Sequence, residues 1–195
     1  MELHAPLTLL ATATLVGAAV VCDLRSRRIP NVLLGVGIAL GLSFQIVALV
    51  GGDPFVNPVG ASGLGPALLG GLTGLALFLP FYALRALGAG DVKLLAMVGV
   101  WLGPQHVAWT AVWTLLAGGV LALLVALGTG VLRQVLANLH AMLVVFLMQT
   151  QTGGGLRAVA APARVTGRLP YAVAIGCGTA IELIRIVLHP GAPTP

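Results

Sequence analysis

Charge is what this chain has least of. Only 8% of its 195 residues are Asp, Glu, Lys or Arg, and the acidic ones number five. A soluble domain carries about a quarter charged residues, so this sequence cannot clothe a water-facing surface. Cysteine is scarcer still: Cys22 and Cys177 form no CxxC pair, which leaves no disulfide framework and no cysteine zinc site. The histidines (His4, His106, His140, His189) are scattered without ligand spacing, so no metal is expected. No basic run is interleaved with aromatics, which argues against nucleic acid as a partner despite a net charge of +5. Alternating ten-residue strands, the signature of a membrane barrel, are missing too. What is present is apolar: 58% of residues are hydrophobic and the mean hydropathy is +1.06. Long apolar runs of this kind predict a helical integral membrane protein, because lipid-exposed backbone must satisfy its own hydrogen bonds.

In chain order, the first span is predicted from about Pro6 to Cys22. Its N-terminal flank, Met1-Glu2-Leu3-His4, lacks the basic region of a signal peptide, so the segment is expected to remain. Arg25, Arg27 and Arg28 make the next loop basic, and Ile29-Pro30-Asn31 forms a stiff corner, since proline fixes its own φ and biases Ile29 away from helix. A second span covers about Val32 to Val50, and a third about Leu64 to Leu84, whose Gly70, Gly71 and Gly74 allow close helix approach. Val92 to Leu102 is about eleven residues, or roughly 16 Å of helix, too short for a full crossing. Gly103-Pro104 breaks it from a long fifth span, His106 to about Gly130. Val131 to Gln151, apolar but polar-interrupted, is read as an interfacial helix, and the last span as Tyr171 to Leu188. The expected fold is therefore all-α and polytopic, with about six transmembrane helices and an interfacial cytoplasmic helix. One membrane domain would cover residues 1–189, followed by a short flexible tail, 190–195. Trp101, Trp109 and Trp113 read as interfacial anchors, and Glu182 with Arg185 as an i,i+3 ion pair.

With six spans, nine of the ten basic residues fall on one side, Arg185 being the exception. Positive charge stays inside, so both termini are expected outside and Asp23 and Asp91 on the cytoplasmic face. Each has a bland reading: Asp91, after Gly88-Ala89-Gly90, is placed to cap a helix, and Asp23 to partner its arginines. Together on one face they point to chemistry, because an ionisable group in a membrane segment is costly. Two close carboxylates share a proton, so one can take a proton from water while the other donates one to a scissile carbonyl. That is aspartic-protease chemistry, and it needs neither a metal nor an organic cofactor. Gly88 and Gly90 fit it by permitting unusual φ and close approach of a substrate backbone. Lys93 reads as a partner for Asp91 or a contact to lipid phosphate.

Asp23…Ile29-Pro30-Asn31, Gly88-Ala89-Gly90-Asp91-Val92-Lys93-Leu94 and Leu169-Pro170-Tyr171-Ala172-Val173-Ala174-Ile175 resemble, in the same order, the type IV prepilin peptidase family of GxGD membrane aspartic proteases. The resemblance implies a six-span fold in the bacterial cytoplasmic (inner) membrane, with Asp23 and Asp91 as the catalytic pair. Gly88, Gly90, Lys93, Pro30, Asn31, Pro170 and Tyr171 would be the supporting motif. It implies cleavage of the short basic leader of prepilins or pseudopilins, after a glycine and before the pilin helix. Larger members carry an N-terminal cytoplasmic part with clustered cysteines that methylates the new N-terminus. No such cluster stands here, so methyltransferase activity is not expected, and the chain resembles the short members serving tight-adherence (Flp-type) pili. The presenilin-like pattern fits less well, since Cys22 rather than tyrosine precedes Asp23. The partners expected are a prepilin and membrane lipids; the oligomeric state stays open. The alternative from another class is a non-proteolytic membrane protein: a small proton or cation transporter, or a pilus assembly partner. Transport would want an acid near mid-membrane and broken helices in repeated halves, and neither is evident.

Overall fold

The computed structural model describes residues 4–50, 63–84, 86–133, 137, 140, 144 and 171–189. The described residues contain five helices and no strand: α1 (His4–Ser26), α2 (Asn31–Val50), α3 (Leu64–Ala83), α4 (Ala89–Gly128) and α5 (Tyr171–Leu188). Four helices are long and apolar enough to cross a membrane: Leu7–Ser26, Leu64–Ala83, Ala89–Gly128 and Tyr171–Leu188. Asn31–Val47 is a shorter apolar helix. The expectation of about six spans is thus met only as an all-helical membrane protein. Its fourth and fifth members are two arms of α4, and an interfacial helix over 131–151 falls mostly outside the described residues, as does the tail.

The break in α4 has a local cause. Gly103 has φ 80° and ψ 174°, a conformation glycine adopts without penalty, and Pro104 follows it with no N–H to donate. The first arm, 89–102, is then about 21 Å long, short of the ~30 Å hydrocarbon layer. It tolerates that length because it is the core. Leu94, Leu95, Met97 and Val98 are fully buried, and Val92, Ala96, Val100, Trp101 and Leu102 nearly so. From Leu94 on, the arm is apolar on every side, and such a helix belongs in the middle of a bundle.

The neighbours of this arm are fixed by glycine. A Cβ on Gly74 of α3 would lie 2.6 Å from the Leu95 carbonyl oxygen, and one on Gly70 would lie 2.8 Å from Gly103 Cα, so the two backbones touch. These contacts make α3 and the first arm an antiparallel pair. On another side, α2 runs parallel to the arm: Gly37 lies against Met97, Gly41 against Val100 and Trp101, and the Trp101 Nε1–H donates to the Gly37 carbonyl at 3.0 Å. Small residues at helix contacts are how packing is gained where lipid removes the hydrophobic driving force. Polarity is inverted accordingly. Thr8, Thr12, Gln45, Thr110, Thr114, Thr179 and Glu182 are buried, whereas Leu10, Val32, Leu72, Leu116 and Leu188 are exposed. An outer surface of leucine and valine is one for lipid.

The chain divides into two compact units, Met1–Gly118 with Pro170–Pro195, and Gly119–Leu169. In the second, the described helix ends at Gly128, where Gly130 takes φ 70° and its N–H donates to the Leu127 carbonyl at 3.2 Å.

Candidate active site

Asp23 lies in the last turns of α1, so the first span extends past its foot. The helix stops at Arg27, a non-glycine residue at φ 51° whose N–H still reaches the Asp23 carbonyl at 2.8 Å. The Asp23 side chain is half-buried. Among the described residues, nothing hydrogen-bonds or ion-pairs with its carboxylate, and the structure therefore does not support its role as a partner for Arg25, Arg27 or Arg28.

Asp91 occupies the first turn of α4. Its Oδ2 accepts the Gly88 N–H at 3.0 Å, the reach-back bond that satisfies a donor left over at a helix start. The capping role is therefore real, and it engages one carboxylate oxygen through this bond. Neither Gly88 nor Gly90 takes a left-handed φ, so the expectation of unusual backbone there is corrected. A Cβ at Gly90 would stand 3.4 Å from Ile29 Cβ, an ordinary contact, while one at Gly88 would press on Asp91 Oδ2 at 3.2 Å.

These contacts join the two motifs. Ile29 packs on Gly90, and the Lys93 Nζ donates to Asn31 Oδ1 at 3.1 Å. The corner that follows Asp23 is thereby seated on the helix turn that carries Asp91. Lys93, read as a partner for Asp91 or lipid, makes its hydrogen bond with Asn31. Tyr171 is the first residue of α5. Its ring meets Phe78 edge-on at 6.2 Å, and a Cβ on Gly118 would lie 3.1 Å from its hydroxyl oxygen. Pro30 is exposed at the corner; Pro170 lies outside the described residues.

A family model for type IV leader peptidases matches residues 10–154. The chain belongs to the type IV leader peptidase family. The match takes in Asp23, the Ile29-Pro30-Asn31 corner and the Gly88–Lys93 turn, and ends before Tyr171. No curated protein and no solved structure matches the chain. Membership makes this chain a membrane peptidase of the leader-peptidase kind, as its resemblance to the prepilin peptidases implied.

Two side chains sit differently from their expected places. Trp101 is not an interfacial anchor; it is 5% exposed and bonded to Gly37 inside the bundle, because the arm that carries it is surrounded on all sides. His106 is not isolated. Its Nδ1 lies 2.7 Å from Glu182 Oε1, and Arg185, as expected, binds the same carboxylate, Nη2 to Oε1 at 2.8 Å and Nε to Oε2 at 3.0 Å. No spacing could have announced a partner 76 residues away. Among the described residues, no group of three His, Cys, Asp or Glu could hold a metal ion.

Proposed function

We propose that Asp23 and Asp91 are the catalytic pair of an aspartic endopeptidase that removes the leader of type IV, Flp-like prepilins or pseudopilins at the cytoplasmic membrane face. The observation that carries this reading is the seating of the Ile29-Pro30-Asn31 corner on Gly90 and Lys93, which draws the Asp23 segment to the Asp91 turn. The state of each acid supports it. Asp23 offers a half-buried carboxylate with no bond among the described residues, and Asp91 is oriented by its bond to Gly88.

In the proposed reaction one ionised carboxylate takes a proton from water as its oxygen attacks the scissile carbonyl carbon. The other, protonated, donates to the carbonyl oxygen, giving a neutral gem-diol. Collapse of the diol breaks the C–N bond as one hydroxyl returns its proton to the second acid and the proton held by the first passes to the departing amine. No covalent enzyme intermediate forms. The helix of the prepilin lies in the bilayer against the lipid-facing spans, and its leader reaches the acids at the inner face. Both termini of the peptidase then face out, and its basic loops meet anionic lipid rather than the basic leader.

The test is cleavage of a co-expressed Flp-type prepilin, read by size shift, in wild type, Asp23→Asn and Asp91→Asn. Both variants are expected to lose cleavage by at least about a hundredfold with unchanged insertion and abundance. Asparagine keeps an oxygen to accept the Gly88 N–H, so the cap survives in Asp91→Asn. Cleavage persisting in either variant refutes the two-acid mechanism.

A further inference from the structure

Asp23 stands beyond the packed part of its helix. The last buried residue of α1 is Ala19, and a Cβ on Gly176 of α5 would lie 2.9 Å from Val20 Cγ2. One turn further on, Cys22 and Asp23 are half-buried, and Leu24, Arg25 and Ser26 are exposed. Final helical turns of this kind fray unless something closes them. The next anchored residue is Ile29, which packs against the hydrophobic core and lies on Gly90.

Ser26 spans the gap. Its Oγ is 2.8 Å from the Cys22 carbonyl oxygen and 3.0 Å from that of Arg28. The single hydroxyl proton is donated to one of them or shared between both. The first carbonyl belongs to the peptide unit that leads into Asp23, the second to the unit that leads into Ile29. The Asp23 carbonyl itself accepts the Arg27 N–H at 2.8 Å. A serine bonded to the carbonyl four residues back is common, and by itself does little for a helix. The forward contact to Arg28 is the unusual one. It closes a turn in which Arg27 takes φ 51°, a left-handed conformation where glycine or asparagine is the ordinary choice. Strained residues persist where their surroundings hold them, and they gather at functional sites.

We propose that Ser26 is a positioning residue for Asp23: its hydroxyl joins the last turn of α1 to the corner seated on Gly90, and so fixes the acid relative to the Asp91 turn. The inference rests on the catalytic reading of the two aspartates. Both Ser26 bonds are exposed and add little to stability. Their weight falls on rate, because a displacement of about 1 Å in a reacting group can cost about a hundredfold.

Cleavage kinetics on the full chain test the role. Ser26→Ala should lower kcat at least about fivefold with KM held within about twofold. Ser26→Thr keeps the hydroxyl and should stay within about twofold of wild type. Alanine is the better helix former, so the midpoint of an SDS titration should not fall in Ser26→Ala, which separates positioning from loss of fold. If Ser26→Ala fails to accumulate, Ser26→Val set against Ser26→Thr gives the same comparison, since the two differ by a methyl in place of the hydroxyl. A kcat within about fivefold of wild type in the variant lacking the hydroxyl, or an equal loss in Ser26→Thr, overturns the positioning role. Hydrogen exchange reads the brace without catalysis. The Arg27 amide should exchange about five- to tenfold faster in Ser26→Ala, as for the loss of one ordinary hydrogen bond. An unchanged rate overturns the brace. A wild type that cuts no prepilin refutes the substrate reading instead, and the exchange rate still decides whether Ser26 ties the turn.

Discussion

Replacing single glycines of α3 by alanine separates close helix packing from helix propensity, and the structure fixes the sign at each position. At Gly70 an added Cβ lies 2.8 Å from both Gly103 Cα and its carbonyl carbon, and closer to the Gly99 carbonyl oxygen. At Gly74 it lies 2.6 Å and 2.9 Å from the Leu95 carbonyl oxygen and carbon. All are backbone atoms, so no rotamer relieves them and the helices must part. A gap of about 0.5–1 Å forfeits a quarter to a half of each dispersion contact along the face, and overpacking of this kind costs about 1–3 kcal/mol. Lipid offers no hydrophobic compensation for the lost contact. At Gly65 of the same helix nothing lies within 4 Å, so alanine gains about 0.5–1 kcal/mol of helix propensity. At Gly71 the neighbour is the Val100 side chain at 2.9 Å, which can rotate, so the change should fall between. SDS titration in mixed micelles, followed by tryptophan fluorescence, should rank Gly65→Ala above wild type and Gly70→Ala and Gly74→Ala below it. The spread between the extremes should be about 2 kcal/mol or more. Prepilin cleavage should fall in the same two destabilised variants, because α3 delivers the chain to Gly88. Gly70→Ala or Gly74→Ala as stable as Gly65→Ala would refute the contact geometry.

Gly90→Ala should leave stability within about 0.5 kcal/mol of wild type, since its Cβ would meet Ile29 at an ordinary 3.4 Å, yet lower prepilin cleavage at least about tenfold if the substrate backbone passes there. Full activity in that variant would remove Gly90 from the substrate path. Trp101→Phe removes the 3.0 Å bond to the Gly37 carbonyl and part of a fully packed indole, and should cost about 1–3 kcal/mol in the same SDS titration. A cost near zero would return Trp101 to the membrane–water interface, where the sequence reading puts it.

Much of the architecture was legible because membrane helices are written as apolar runs, and their ends as breakers. Pro30 and the Gly103-Pro104 pair mark corners that the structure contains, since missing donors and a left-handed φ are local chemistry. Burial was not legible in the same way. From Leu94 to Leu102 the first arm of α4 is apolar without a break, so its sequence has no period that tells a core helix from a lipid-facing one. Trp101 was misplaced for that reason: a tryptophan near the end of an apolar run reads equally as an anchor or as core, and only Gly37 and Gly41 opposite decide it. The acidic residues show both the strength and the limit of sequence reasoning. Charge is so scarce that Asp23, Asp91 and Glu182 each stand out at once, but what each one bonds to is a long-range fact. Glu182 has its oxygens occupied by His106 and Arg185, which suits a structural role. Asp23 is half-buried with no bonded partner among the described residues. An acid with no bonded partner among the described residues gains nothing for the fold, and that contrast with Glu182 is the physical ground for proposing chemistry at Asp23.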